Sequence, residues 1–156
     1  MSERDGNGWV LCRLGHRHWG RFGAAGILIT DGNRIVLQHR ADWTHEGGTW
    51  ALPGGARDSH EDAVAAALRE AVEETTLDPA HVTPFGEWVD EHGDWSYTTV
   101  LAEAQVEVQL APANAESVDI GWWLMDDVLE LRLHTGFAAA WPRLREMIDD
   151  RAILSG

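Results

Sequence analysis

Residues 54–77 read GGARDSHEDAVAAALREAVEETTL. A glycine pair opens the stretch, three glutamates (Glu70, Glu73 and Glu74) crowd its end, and alanine fills much of the space between. Ser59 is a favourable N-cap with Asp62 three positions on, so the pattern predicts a helix from His60. Val64, Ala67, Leu68, Ala71 and Val72 recur at three- and four-residue spacing, the stripe that a helix turns towards a core. Glu70, Glu73 and Glu74, at i, i+3 and i+4, then stand side by side on the adjoining flank. Like charges so placed destabilise a helix by about 0.2–0.5 kcal/mol per pair, and the helix dipole adds to that cost near the C-terminal end. A cation reverses the sign. Hard divalent ions take carboxylate oxygens and keep waters that phosphate oxygens replace, so the triple-acid face suits a metal gripping a phosphorylated substrate. A solvated face with Arg69 paired to Glu73 is the plainer alternative.

Outward from this helix the chain alternates in strand-like runs. Two apolar runs, at about 22–30 and 34–40, flank Asp31-Gly32-Asn33, residues suited to a tight hairpin turn. The stretch ADWTHEGGTW (41–50) is a predicted loop, and TWALPGG (49–55) a short strand ended by proline and glycine. Beyond the helix, VTPFGEWVDEHG and WSYTTVLAEAQVEV predict two strands joined at His92-Gly93-Asp94, and SVDIGWWLM predicts a third. Asp126-Asp127 opens a short helix, and GFAAAWPRLREMIDDRAIL predicts a C-terminal helix with Pro142 near its first turn. Trp122 and Trp123 face opposite ways on their strand, so one of them is expected in the core. Strands around one central and one terminal helix make a mixed α/β sandwich.

A chain of 156 residues with 44% apolar content and nine tryptophans has ample core material for one domain, here expected over 1–156, with 1–19 as an N-terminal extension or lid. The net charge of -14, with twelve arginines and no lysine, disfavours binding to nucleic-acid backbones or anionic membranes. Cys12 is the only cysteine, and no apolar run reaches the length of a bilayer span, so a cytoplasmic protein is expected.

Gly55, five residues, Glu61, seven residues, Arg69-Glu70-Ala71-Val72-Glu73-Glu74 and then Leu77 resemble the signature of the Nudix hydrolases. Two positions depart from that pattern. Thr76 stands where the family has a glycine, and Ala71 where it usually has a larger aliphatic residue. The family glycine would close the helix with positive φ, which a β-branched residue adopts poorly, so a different local turn is expected here. The resemblance implies an α/β/α sandwich with a mixed sheet, a central motif helix and a C-terminal helix. It also implies hydrolysis of a nucleoside diphosphate linked to another group, with Mg²⁺ as the ion and Mn²⁺ as the alternative. Carried over by position, Glu70 and Glu74 become the main metal ligands with the carbonyl of Gly54, Glu73 joins them or positions water, and Arg69 orients a motif glutamate. A further acid from a late loop completes such sites; Glu116 is the first candidate, ahead of Asp119, Glu91 and Asp94. Glu73 or Glu116 then serves as base.

Substrate selectivity has to come from outside the motif. Trp43 and Trp50 are candidates for stacking on a base, with core packing the alternative, and Arg40 and Arg21 are candidates for phosphate. A small nucleotide is the expected partner, most readily a nucleoside triphosphate cleaved to nucleotide and pyrophosphate. Nucleotide sugars and dinucleoside polyphosphates are the alternative substrates; a homodimer is common among proteins of the fold that the resemblance implies, but no exposed stripe in this sequence marks an interface. An isomerase of the same fold needs a cysteine, and Cys12 lies far upstream of its place; a nucleotide-sensing module without catalysis commonly loses the acids kept here. Cys12, His16 and His18 have irregular spacing for zinc and no second ligand pair nearby in the chain, so a basic-aromatic surface or substrate-side lid is expected there.

Overall fold

The computed structural model describes residues 5–105 and 108–155. Its elements are β1 (Trp9–Leu11), β2 (Arg17–Trp19), β3 (Ala24–Thr30), β4 (Arg34–Arg40), β5 (Trp50–Ala51), β6 (Gly54–Ala56), α1 (Ala63–Glu74), β7 (Val82–His92), β8 (Trp95–Ala104), β9 (Ser117–Leu124) and α2 (Thr135–Ser155). Short 3-10 turns cover Pro79–His81 and Met125–Glu130. The strand expected to run on from β8 stops at Ala104; Val106 and Glu107 lie outside the described residues, as do Met1–Arg4 of the expected extension.

β1 and β2 form a hairpin of their own, and the other seven strands make one mixed sheet in the order β5-β4-β3-β8-β7, with β6 added to β3 and β9 to β4. β3 and β8 run parallel along the whole of β3. β3 and β4 pair only beside their turn, at Thr30 and Ile35, and then part. β6 takes the place beside β3, with Gly54 opposite Gly26 and Gly55 opposite Ala25. β9 follows β4 down to Arg40 and Ser117. One end of the sheet therefore gathers the start of β3, β6, Tyr97 of β8, Arg40 and the residues just before β9.

Alternation along the strands divides the core in two. Ala25, Ile27 and Ile29 of β3, Val36, Val100 and Ala102 pack with Ala66, Ala67 and Ala71 of α1. Leu28, Ile35, Leu37 and Leu101 point the other way, onto Phe137, Trp141, Leu144 and Ile148 of α2. Each large aliphatic side chain so buried contributes roughly 1.5–3 kcal/mol. This is the α/β/α sandwich with a mixed sheet.

Four local expectations need correction. Helix α1 starts at Ala63, with Asp62 as N-cap accepting the Ala65 N–H at 2.8 Å. Ser59 instead hydrogen-bonds Asp5 through its N–H and hydroxyl, because residues 57–61 are wound around Arg69 before the helix begins. Val72 is 44% exposed, so the buried side of α1 is rotated from the apolar stripe towards Glu70 and Glu74. Pro142 sits inside α2, well past the first turn, on an exposed face where its missing N–H and ring cost the helix least. Trp122 and Trp123 both pack, one against each face's core, since the sheet is covered on both sides.

Candidate active site

Arg69 lies at the hub of the segment that leads into α1. Its Nε and Nη2 grip the Glu61 carboxylate at 2.6 and 2.8 Å, and Nη2 also donates to the Ala56 carbonyl at 2.9 Å. Its Nη1 donates to Glu70 at 2.8 Å and to Glu73 at 3.3 Å. The Glu61 carboxyl is held below its ordinary range, first by this hydrogen bond from Arg69 and against its own burial. Glu61 accepts the Asp58 N–H at 3.0 Å, and fully buried Asp58 accepts the Gly6 N–H at 2.8 Å. A planar fork that meets a carboxylate with two bonds is what Arg supplies and Lys does not. The fork fixes Glu70 one helical turn before Glu74.

Glu70 and Glu74 are 7% and 5% exposed, while the Glu73 side chain is 41% exposed at the rim. The Gly54 N–H donates to Glu74 at 3.0 Å. A Cβ on Gly55 would stand 2.6 Å from the Glu70 carboxyl carbon, so only glycine lets β6 lie against that carboxylate. Beneath the loop, the Tyr97 hydroxyl occupies the space that a Cβ on Gly26 would need, 2.1 Å from it, and lies 3.0 Å from where a Cβ on Gly54 would stand. Burial pushes the Tyr97 phenol up, with Glu74 adding to the effect. The Glu74 carboxyl is pushed up to about 8, by burial first and Glu70 second, with Glu116 adding and the Gly54 N–H and Arg40 opposing. A carboxylate out of water beside a second carboxylate keeps its proton unless a cation arrives.

The C-terminal end of α1 is closed by threonines. Thr75 has extended φ and ψ of -132° and -179°, its hydroxyl donates to the Ala71 carbonyl at 2.6 Å, and it accepts the Leu77 N–H at 3.0 Å. Among the described residues Glu46 alone is a non-glycine with positive φ, so Thr76 closes the helix without the left-handed turn. The Thr76 hydroxyl accepts the Ala111 N–H at 3.1 Å, the Glu74 carbonyl accepts the Ala113 N–H at 2.9 Å, and the Asn114 amide reaches the Glu73 carbonyl at 3.4 Å. The loop before β9 is thus docked on the helix end. Glu116 follows it, anchored by its carbonyl to the Ala41 N–H at 2.9 Å and exposed at its side chain.

Residues 20–146 match the NUDIX domain family model. The chain belongs to the Nudix hydrolase family. It is a pyrophosphohydrolase of the class that cleaves phosphoric anhydride bonds, and the family generally uses a divalent metal. Its relatives include a protein of Mycobacterium tuberculosis (strain H37Rv) provisionally named 8-oxo-dGTP diphosphatase 3, 46% identical over 154 residues, 90% of this chain and 70% of that protein. A nucleoside triphosphate pyrophosphatase/Nudix hydrolase fusion protein of Bifidobacterium longum is 39% identical over 159 residues, 96% of this chain but 33% of the fusion protein. The crystal structure of RenU, a Nudix hydrolase from M. smegmatis, superposes with a TM-score of 0.85 at 44% identity, covering 93% of this chain and 96% of that one.

Around the Nudix helix the remaining candidates divide. Arg40 is close enough for its charge to lower the Glu74 pKa, and its Nε donates to the His45 carbonyl at 2.9 Å. Trp43, just past Arg40, is 69% exposed. Trp50 stacks on His39 at 4.6 Å and meets Trp123 edge-on at 5.1 Å, packed against the α2-side core. Arg21 lies with its side chain along Gly8, in the segment tied by its N–H to Gly6, and no described contact links it to the carboxylates. Asp94 sits in the turn between β7 and β8, where it accepts the Arg13 N–H at 2.7 Å, and Glu91 is in β7, paired with Ser96; Asp119 accepts the neighbouring Ile120 N–H. Tyr97 and Asp58 were not singled out from sequence, since a strand tyrosine and a loop aspartate carry no local signature. Glu46 was also missed. Its carboxylate accepts from the Thr135 N–H and hydroxyl, both at 2.9 Å, pinning the 41–49 loop to the start of α2.

Proposed function

We propose that the protein hydrolyses a nucleoside triphosphate to the nucleoside monophosphate and pyrophosphate, with Mg²⁺ as its ion. The observation that carries this reading is the buried Glu70–Glu74 pair under the Gly54-Gly55 strand, where the hydrogen bond to the Glu74 carboxylate comes from a neutral backbone N–H. The donors are carboxylate and carbonyl oxygens, which fits a hard divalent ion, Mg²⁺ before Mn²⁺. Glu70, Glu74 and the Gly54 carbonyl would hold it, with Glu73 at the rim as a further ligand. Bound there, the ion would neutralise the polyphosphate and polarise its phosphoryl oxygens.

The protein's own groups supply the rest. Arg69 is a positioning residue: it spends its donors on Glu61, Glu70, Glu73 and the Ala56 carbonyl, so it orients acids without meeting substrate. Glu116 is the base, because it is exposed, close enough to raise the Glu74 pKa, and free of the Arg69 clamp that engages Glu73. It takes one proton from the attacking water as the water oxygen bonds to phosphorus and the anhydride oxygen leaves with pyrophosphate. Arg40 faces the polyphosphate charge and Trp43 offers an exposed ring for a base. The names of the tuberculosis and Bifidobacterium relatives favour a triphosphate, and oxidised dGTP belongs in the first assay panel.

The test is product analysis with Mg²⁺ and with chelator across nucleoside triphosphates, a nucleotide sugar and a dinucleoside polyphosphate. Monophosphate and pyrophosphate from a triphosphate are expected; cleavage confined to the other two classes overturns the substrate reading, and nucleotide binding with no cleavage overturns catalysis.

A further inference from the structure

The hairpin formed by β1 and β2 lies before the stretch matched by the family model, and its inner face carries an unexplained cluster. Val10 pairs with His18 and Leu11 with Arg17, and beyond them the Cys12 N–H donates to the His16 carbonyl at 3.0 Å. Alternation across an antiparallel pair therefore puts Val10, Cys12, His16 and His18 on one side and Trp9, Leu11, Arg17 and Trp19 on the other. The ligand atoms of Cys12, His16 and His18 all lie within 4.8 Å of one another. Tetrahedral zinc, with Zn–S of about 2.3 Å and Zn–N of about 2.0–2.1 Å, needs them roughly 3.3–3.7 Å apart, a distance that small side-chain rotations close.

Two independent observations point to a ligand. Nε2 of His18 is buried and has no hydrogen-bond partner among the described residues, a rare state for an imidazole nitrogen. A further imidazole, His92 at the end of β7, stands with its ring 5.0 Å from that of His18 and 6.3 Å from that of His16. Asp90 lies 3.4 Å from Nε2 of His92, the carboxylate–imidazole pairing that orients metal-ligating histidines and leaves Nδ1 for the ion. Cys12 is buried, whereas His16 is exposed and gives a route in.

We propose that Cys12, His16 and His18, with His92 as fourth ligand, form a Zn²⁺ site that staples the N-terminal hairpin to the turn between β7 and β8. A thiolate-imidazole set selects zinc over the hard ions suited to Glu70 and Glu74. Binding forms the Zn–S bond and releases the Cys12 thiol proton to solvent. The same turn already takes the Arg13 N–H on Asp94 and stacks Trp95 on His18 at 4.0 Å, so the ion joins surfaces that are in contact.

The test uses the whole chain, stripped with chelator and titrated with Co²⁺ and Zn²⁺ at pH 7.5. One equivalent of Co²⁺ is expected to give a thiolate-to-cobalt charge-transfer band, bleached by one equivalent of Zn²⁺. Cys12→Ser abolishes the band, and Cys12→Ser and His18→Ala each weaken Zn²⁺ binding by about 100-fold or more. His16→Ala, at an exposed position that leaves the packing intact, does the same, and Glu74→Gln leaves both band and affinity unchanged. No thiolate band in the unaltered protein overturns the proposal, as does Zn²⁺ binding in the Cys12 and His16 variants that equals the unaltered protein's.

Discussion

Replacing Glu74 with Gln keeps the side chain's size and an acceptor for the Gly54 N–H while removing its titration. In the metal-free protein this carboxyl is pushed up to about 8, by burial first and the neighbouring Glu70 second, from an ordinary 4.5. At pH 7.5 the unfolded chain has released the proton and most folded molecules still hold it. Across those three pH units, at about 1.4 kcal/mol each, folding loses about 4 kcal/mol. The native state binds more protons than the unfolded one, so stability falls as pH rises from 4.5 and levels off above pH 8. Glu74→Gln escapes that loss. In chelator at pH 7.5 the variant is expected to be more stable by up to about 4 kcal/mol, roughly 8–16 °C in melting temperature for a chain of this size. The gap should close towards pH 4.5, and Mg²⁺ should raise the melting temperature of the unaltered protein but not of the variant. Thermal melts at several pH values, with and without Mg²⁺, decide it. Equal melting temperatures at pH 7.5 in chelator, or a gap that widens as pH falls, would refute the reasoning.

Four further outcomes follow from particular side chains. Arg69→Lys leaves Glu61 and Glu70 without their forked partner and should cost about 3 kcal/mol in urea unfolding, with lower kcat, because a point charge cannot span both carboxylates. Thr76→Gly, which restores the family's residue, should destabilise by about 1 kcal/mol, since the Ala111 N–H loses its acceptor and the backbone there needs no positive φ. Trp50→Ala should cost about 3 kcal/mol through its packing on His39 and Trp123. Trp43→Ala should leave stability within about 0.5 kcal/mol while raising KM, which steady-state kinetics beside the melts would show.

The strands of the main sheet and both helices were legible because apolar periodicity and turn residues such as Asp31-Gly32-Asn33 act locally, whereas the β1–β2 hairpin, whose strands are three residues each, was not. The placement of the acids on α1 was legible because a helix brings positions i, i+3 and i+4 together, and the spacing from Gly55 to Leu77 resembles the family motif. What failed was decided by distant partners. Ser59 looks like a cap, but Asp5 takes its donors, and Arg69 draws Glu61 out of the helix so that capping passes to Asp62. Thr76 looked awkward only on the assumption of a left-handed turn, whereas the loop at 111–114 makes an extended end stable. Tyr97 fills space left by Gly26 only because β3 and β8 run parallel, a pairing that no local pattern announces. The irregular spacing of Cys12, His16 and His18 argued against zinc until the hairpin register put them on one face.

Pyrophosphate release from a nucleoside triphosphate in Mg²⁺, measured for the unaltered protein and Glu74→Gln side by side, tests the central claim most directly. The account predicts monophosphate and pyrophosphate in equal amounts, no turnover in chelator, and a rate lowered about 100-fold or more in a variant that remains folded. Turnover by Glu74→Gln at the unaltered rate, or turnover that persists in chelator, would contradict it.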